Sequence, residues 1–238
     1  MMEHAPFTWL MYLPMAGKFP HQVIAALFVM AVLTIVSYLY LRKITGGSEA
    51  ERLVPSERFT LRNTLELVTE MTIKFLDDIM GPEGRRFLPL IGTLTFFILF
   101  SNLLGLVPGF LPPTDNLNTT LACALIVFVA THYYGIKTHG FRYIKHFLGP
   151  IWWMAPMFFV IEIVSHLARV LSLSMRLFGN IMADHMLLTL TLLAPSILVI
   201  LLPPLSIVLG IFVSLIQAFI FVVLSMVYIS MAIEEAEH

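Results

Sequence analysis

EIVSHLARVLSLSMRLFGNIMAD, residues 162–184, is the stretch whose reading decides the fold. Apolar runs flank it on both sides, so it reads as a helix at membrane depth. Yet it carries Glu162, His166, Arg169, Arg176, Asn180 and Asp184. At about 100° per helical residue, with Glu162 at zero, His166 falls at about 40°, Arg169 at about −20° and Arg176 at about −40°. Asn180 returns to about 0° and Asp184 to about 40°, so the polar residues share a sector roughly 80° wide. The rest of the helix is nearly all Leu, Ile, Val, Met and Ala. A polar stripe on an apolar helix within a bilayer marks an ion or proton path.

Working outward, the composition agrees. The chain has 238 residues, 58% hydrophobic and 12% charged, and the charged share is about half that of an average soluble domain. Five segments are long and apolar enough to cross or embed in a bilayer. The expected fold is an all-α polytopic membrane protein, a single membrane domain over residues 1–238. A net charge of −1 points away from a nucleic-acid partner. Cys123 is alone, so no disulfide framework and no CxxC metal motif can form within the chain. Glu3 and His4 precede any basic residue, and the first long apolar run, 21–41, exceeds the core of a cleaved signal. It reads as the first span.

Residues 1–20 form an extracytoplasmic lead-in with interfacial Trp9 and Tyr12. Arg42 and Lys43 mark the cytoplasmic end of the first span, and 44–58 is a polar loop. Over 59–80, Leu61, Leu65, Val68, Phe75, Leu76 and Ile79 line one face and Glu66, Glu70, Lys74 and Asp77 the other. This is an amphipathic helix at the cytoplasmic surface, lying on lipid or against another subunit. The second and third spans occupy 87–134, about 87–107 and 117–134, with Asp115 in the proline-rich loop between them. Ser101 and Asn102 read as interhelical hydrogen-bonding residues.

Two longer segments follow, about 150–193 and 196–233. A helix of some forty residues is about 60 Å long, twice the hydrocarbon thickness. Each segment is therefore broken, or both lie strongly tilted as a membrane-embedded hairpin closed at Ala194-Pro195. Pro203-Pro204 is expected to kink the second. Eleven of the fourteen Lys and Arg fall in loops assigned to the cytoplasm. By that bias the N-terminus is extracytoplasmic and the C-terminus cytoplasmic. No internal repeat is visible, which weakens a secondary-transporter reading.

An arginine at membrane depth costs several kcal/mol unless paired or solvated. Glu162 could hold Arg169 across two turns, or through water. Arg176 has no acid within one turn on its N-terminal side, and Asp184 is about 12 Å further along the axis. Arg176 therefore faces water or a carboxylate on another chain. Glu162 and His166, at i and i+4, have a spacing that suits a metal. But His185 projects at about 140° and HExxH is absent, so no metal or cofactor is expected.

Arg176-Leu177-Phe178-Gly179-Asn180 resembles the signature of subunit a of the F-type rotary ATP synthases. FSNLLGLVPG (100–109), PPTDNLNTT (112–120), Glu162 ahead of the arginine, and QAFIFVVLSMVYISMA (217–232) are similar to that family in the same order. The resemblance implies a non-catalytic, proton-translocating stator with two half-channels. It would work against a ring of c subunits, with peripheral-stalk b subunits alongside, in a bacterial plasma membrane or an organelle membrane of bacterial descent. It matches the long segments to the family's tilted hairpin. It implies that Arg176 keeps the facing ring carboxylate ionised and blocks a proton short-circuit, and that Leu173 and Leu177 lie where the ring passes. Glu162, Asn180 and Gln217 match polar positions around the channels, and Asp115 an acidic position in the extracytoplasmic loop. His185 matches a candidate relay. The family partner of that relay falls at Gly210 here, so Asp184 or water would substitute. His166 and Arg169 would sit nearer the cytoplasm. The alternative is a stand-alone ion channel or transporter using the same stripe.

Overall fold

In hydrocarbon, a backbone can satisfy its own N–H and C=O groups only in helices or a closed barrel. This chain uses helices. The computed structural model describes residues 8–12, 19–46, 61–107, 109–140, 143, 152–192 and 198–234. Among these there is no strand, and the long helices are α1 (His21–Gly46), α2 (Leu61–Met80), α3 (Leu88–Leu104), α4 (Leu117–His139), α5 (Ala155–Leu192) and α6 (Leu198–Glu234). Short 3-10 turns cover Trp9–Tyr12, Pro82–Phe87, Pro113–Asp115 and Trp152–Met154. Five stretches are long and apolar enough to cross a membrane: His21–Arg42, Pro82–Leu104, Leu117–His139, Ala155–Ala183 and Pro204–Glu234. The architecture is that of an all-α polytopic membrane protein.

The two long segments are each one unbroken helix, of 38 and 37 residues. The broken alternative is thereby removed. α6 stays helical through Pro203-Pro204, the sixth and seventh residues of the helix, where each proline gives up one bond to the carbonyl four residues back. α4 runs past the expected end at Tyr134 to His139. Lys137 and His139 fill its last turn, where cations suit the helix dipole, and the His139 ring meets the Ile233 carbonyl of α6. The Ala194-Pro195 connection, the loop 47–60, most of the lead-in, Arg142, Lys145 and the tail after Glu234 lie outside the described residues.

The main core gathers Leu94 and Ile98 of α3, Ala124 and Val127 of α4, Val170, Leu173 and Leu177 of α5, and Ala218 and Phe221 of α6. The apolar stripe of α2 finds a cover that the sequence did not predict. Leu76 is fully buried and packs with Phe87, Ile91, Val222, Met226 and Ile229. The chain's own α3 and α6 therefore take the stripe. Leu67 and Met71 stay exposed on the same helix.

Gly81, at φ 67°, ends α2 in a conformation that L side chains resist. The turn beyond it is clamped by Arg85, which donates from Nε and Nη2 to the two Asp77 carboxylate oxygens at 2.9 and 2.7 Å. That guanidinium holds the Asp77 carboxyl below the usual carboxylate range. The Arg62 guanidinium does the same for Glu66.

α1 is seated through Ile24, Ala25 and Val29 in its first half. Its second half stands away from α2 and α3 across a groove of about 870 Å³, lined by Leu33, Leu41, Leu65, Ile73 and Phe96 among others. The Tyr40 hydroxyl donates to Glu66 across it at 3.1 Å.

Candidate functional site

The polar stripe of α5 meets a different neighbour at each level. Near the N-terminal end, Glu162 Oε1 lies 3.3 Å from His166 Nε2. His166 is buried, its ring 4.7 Å from that of His132 on α4 at an interplanar angle of 70°. The Arg169 guanidinium lies over the Tyr228 ring of α6, 5.5 Å from its centroid. Among the described residues no carboxylate pairs directly with Arg169, so of the two ties to Glu162 that the sequence allowed, the direct one is not made. The i, i+4 spacing brings His166 closer to Glu162 than a seven-residue gap can bring the arginine. A cavity of about 20 Å³ lies among Thr131, His132, His166, Arg169 and Tyr228. That is space for a single water.

Toward the other end, Asn180 Nδ2 donates to Gln217 Oε1 at 2.5 Å. Gln217 is 1% exposed, and among the described residues its Nε2 has no hydrogen-bond partner. Thr114 Oγ1 donates to Asn102 Oδ1 at 3.0 Å, and Asn102 Nδ2 reaches the Ser214 carbonyl at 3.5 Å. Asn102 therefore bonds between helices as expected. Ser101, equally buried, has no hydrogen-bond partner among the described residues. A cavity of about 10 Å³ is bounded by Asn102, Gly105, Asn180, Ser214 and Gln217. Asp115 stands elsewhere, 3.8 Å from His21 Nε2 of α1. Asp184 and His185 lie on α5, but their side chains are outside the described residues.

An apolar layer separates the two polar clusters. Val170, Leu173 and Leu177 interlock there with Ile98, Val127 and Phe221. The buried hydroxyls at this depth, Thr120 and Ser174, are 3.0 Å apart and satisfy each other. Arg176 sits at the same level on the outside of α5, exposed, and no carboxylate pairs with it among the described residues. Leu173 and Leu177, expected to lie where a ring passes, are 2% and 0% exposed. They are rotated about 60° and 100° from Arg176, enough to turn from the outer face into the core. Met175 and Met182 share the outer face instead, at 52% and 49%. Among the described residues no group of three or more His, Cys, Asp or Glu gathers to hold a metal.

A family model described as ATP synthase A chain matches residues 23–230. The chain belongs to this family. Among relatives named ATP synthase subunit a, that of Desulfosudis oleivorans is 44% identical over 235 residues, 99% of this chain and 100% of the relative. That of Trichlorobacter lovleyi is 49% identical over 190 residues, 80% of each chain. That of Geotalea uraniireducens is 52% identical over 176 residues, 74% of this chain and 75% of the relative. As a subunit a, the chain is a multi-pass membrane component of a rotary ATP synthase, a multi-subunit complex of ATP synthesis and proton transport.

Within this subunit a, two residues beside the stripe escaped the sequence reading. Both join it from other helices. His132 comes from α4 and Tyr228 from α6. Neither stands out in its own segment, since an aromatic ring near the end of a span suits an interface anchor equally well. Tyr143 adds to the same corner, its ring 6.0 Å from that of His132. It packs against Gly135, where a Cβ would come within 2.6 Å of the ring.

Proposed function

We propose that the chain is the non-catalytic, proton-translocating stator of the rotary motor, offering two half-channels to a ring of c subunits. The observation that carries this is the position of Arg176: exposed, without an acidic partner among the described residues, and level with an apolar layer between two polar clusters. A proton arriving at Asn180 and Gln217, with Asp115, Asp184 and His185 on the same extracytoplasmic side, meets Leu173, Leu177 and Phe221 and cannot continue through the chain. It leaves on a ring carboxylate and returns at Glu162, His166 and Arg169. Facing Arg176, that carboxylate is favoured in its charged form. Moving on into lipid, it must take up a proton, since charge in hydrocarbon is costly. The driving term is about 2.3 kcal/mol per charge per 100 mV.

The exposed apolar faces of α5 and α6, among them Leu171, Met175, Val208, Phe212 and Phe219, give the ring a surface to turn against. Peripheral-stalk b subunits and lipid cover the remaining sides. The distribution of basic residues supports an extracytoplasmic N-terminus and a cytoplasmic C-terminus in a bacterial plasma membrane. The whole of 1–238 then acts as one membrane domain.

The test is Arg176→Ala in the assembled complex. ATP-driven proton pumping by inverted vesicles is expected to vanish while ATP hydrolysis by the soluble head persists. Normal pumping by that variant overturns the reading. Ion flux through liposomes holding the purified chain alone would favour a stand-alone channel instead.

A further inference from the structure

We propose that His132 and His166 together form a two-histidine proton station serving Glu162 on the cytoplasmic path, an inference that rests on the stator reading above. The geometry carries it. The rings approach to 4.7 Å from two different helices, and His166 Nε2 lies 3.3 Å from Glu162 Oε1. His132 Nδ1 is 2.9 Å from the Phe128 carbonyl of its own helix. That oxygen can only accept, so Nδ1 carries a hydrogen and Nε2 is left to exchange protons. The cavity of about 20 Å³ bounded by both rings, Thr131, Arg169 and Tyr228 has room for one water to close the remaining gap. Packing alone would be met by any large apolar side chain at either position. Two adjacent imidazoles beside a carboxylate add the capacity to pass a proton.

Among the described residues, the charged and titratable groups around the pair include Glu162 and Arg169 of α5, Tyr228 of α6 beneath Arg169, and Tyr143 beyond the end of α4. Two imidazolium rings this close, with Arg169 nearby, would repel each other, so the pair carries at most one extra proton at a time. Transfer is a proton movement only. The His166 Nε2–H bond breaks as an O–H bond forms on Glu162, the electron pair stays on Nε2, and His166 regains its proton from His132 directly or through the one water. In the pumping direction the same steps run backwards.

The test uses membranes holding the assembled complex with His132→Gln, His166→Gln and the double substitution, each measured for ATP-driven pumping across a range of cytoplasmic-side pH. ATP hydrolysis by the same membranes reports assembly. Each single variant is expected to slow pumping on the order of tenfold, less than a typical acid–base group because water substitutes in part. Each should also shift the pH at which pumping falls off. The double variant should be no slower than the worse single one, since the rings act as a unit. Added imidazole should restore part of the pumping in His132→Gly. An unchanged pH profile in the double variant overturns the station. So does a loss that is equal at every pH and not relieved by imidazole, which means packing. If Arg176→Ala abolishes pumping while the histidine variants behave as the parent, the station alone fails. If Arg176→Ala pumps normally, the stator reading fails first.

Discussion

Arg176 and Leu177 are neighbours in sequence, yet one is exposed and the other has no accessible surface. A difference of about 100° around the helix separates the outer face from the core. That rotation decides which positions can touch a partner. In a Cys123→Ala background, Met175→Cys is expected to form a disulfide readily with a cysteine placed beside the ring carboxylate. Leu173→Cys and Leu177→Cys should not. Equal yields at all three positions would mean that α5 meets the ring through a different face. Cys123 itself is buried in the main core, so alanine is the gentler background there, leaving no new hydroxyl to satisfy.

At the scale of the element, the phase of the α5 stripe was readable from spacing alone, because a helix fixes angles between its own residues. Its surroundings were not, because those angles say nothing about neighbouring helices. The same sector holds His166 in the core, Arg176 outside it and Asn180 against α6. α2 teaches the same lesson. Its amphipathic pattern was plain, and only the structure shows that α3 and α6 cover it. The corner after α2 also allows a pH prediction. Asp77 is held below the usual carboxylate range by Arg85, so the clamp is fully present above the unfolded value near ~3.9 and is lost as pH falls through the lower folded value. No change is expected between neutral pH and about 5. The Asp77 carboxyl carbon, followed by NMR, should titrate below its ordinary range and return to it in Arg85→Ala. A midpoint at or above that range in the parent protein would show that the clamp does not form.

For the molecule as a whole, five apolar runs and the motif around Arg176 made the membrane fold and the family legible. The separation of the polar residues into two clusters was not, since it depends on which side chains of α3, α4 and α6 fill the space between. Phe221 is central to that filling, with no exposed surface. Phe221→Ala is expected to cost about 3–5 kcal/mol of stability and to open a path for water between the clusters. Vesicles carrying that variant should leak protons passively with ATP absent. If they stay as tight as the parent while thermal stability drops, the layer is held closed by its remaining members.

The groove beside α1 sets how that helix is moored. Of the five membrane-long stretches among the described residues, the one in α1 is the least buried within the chain. It is anchored at its start through Ile24, Ala25 and Val29, and reaches the rest of the chain at its far end through Tyr40 and Glu66. The main core closes without a residue from α1. α1 then works as an outrigger, and the slack between its two moorings gives it room to shift without disturbing the bundle.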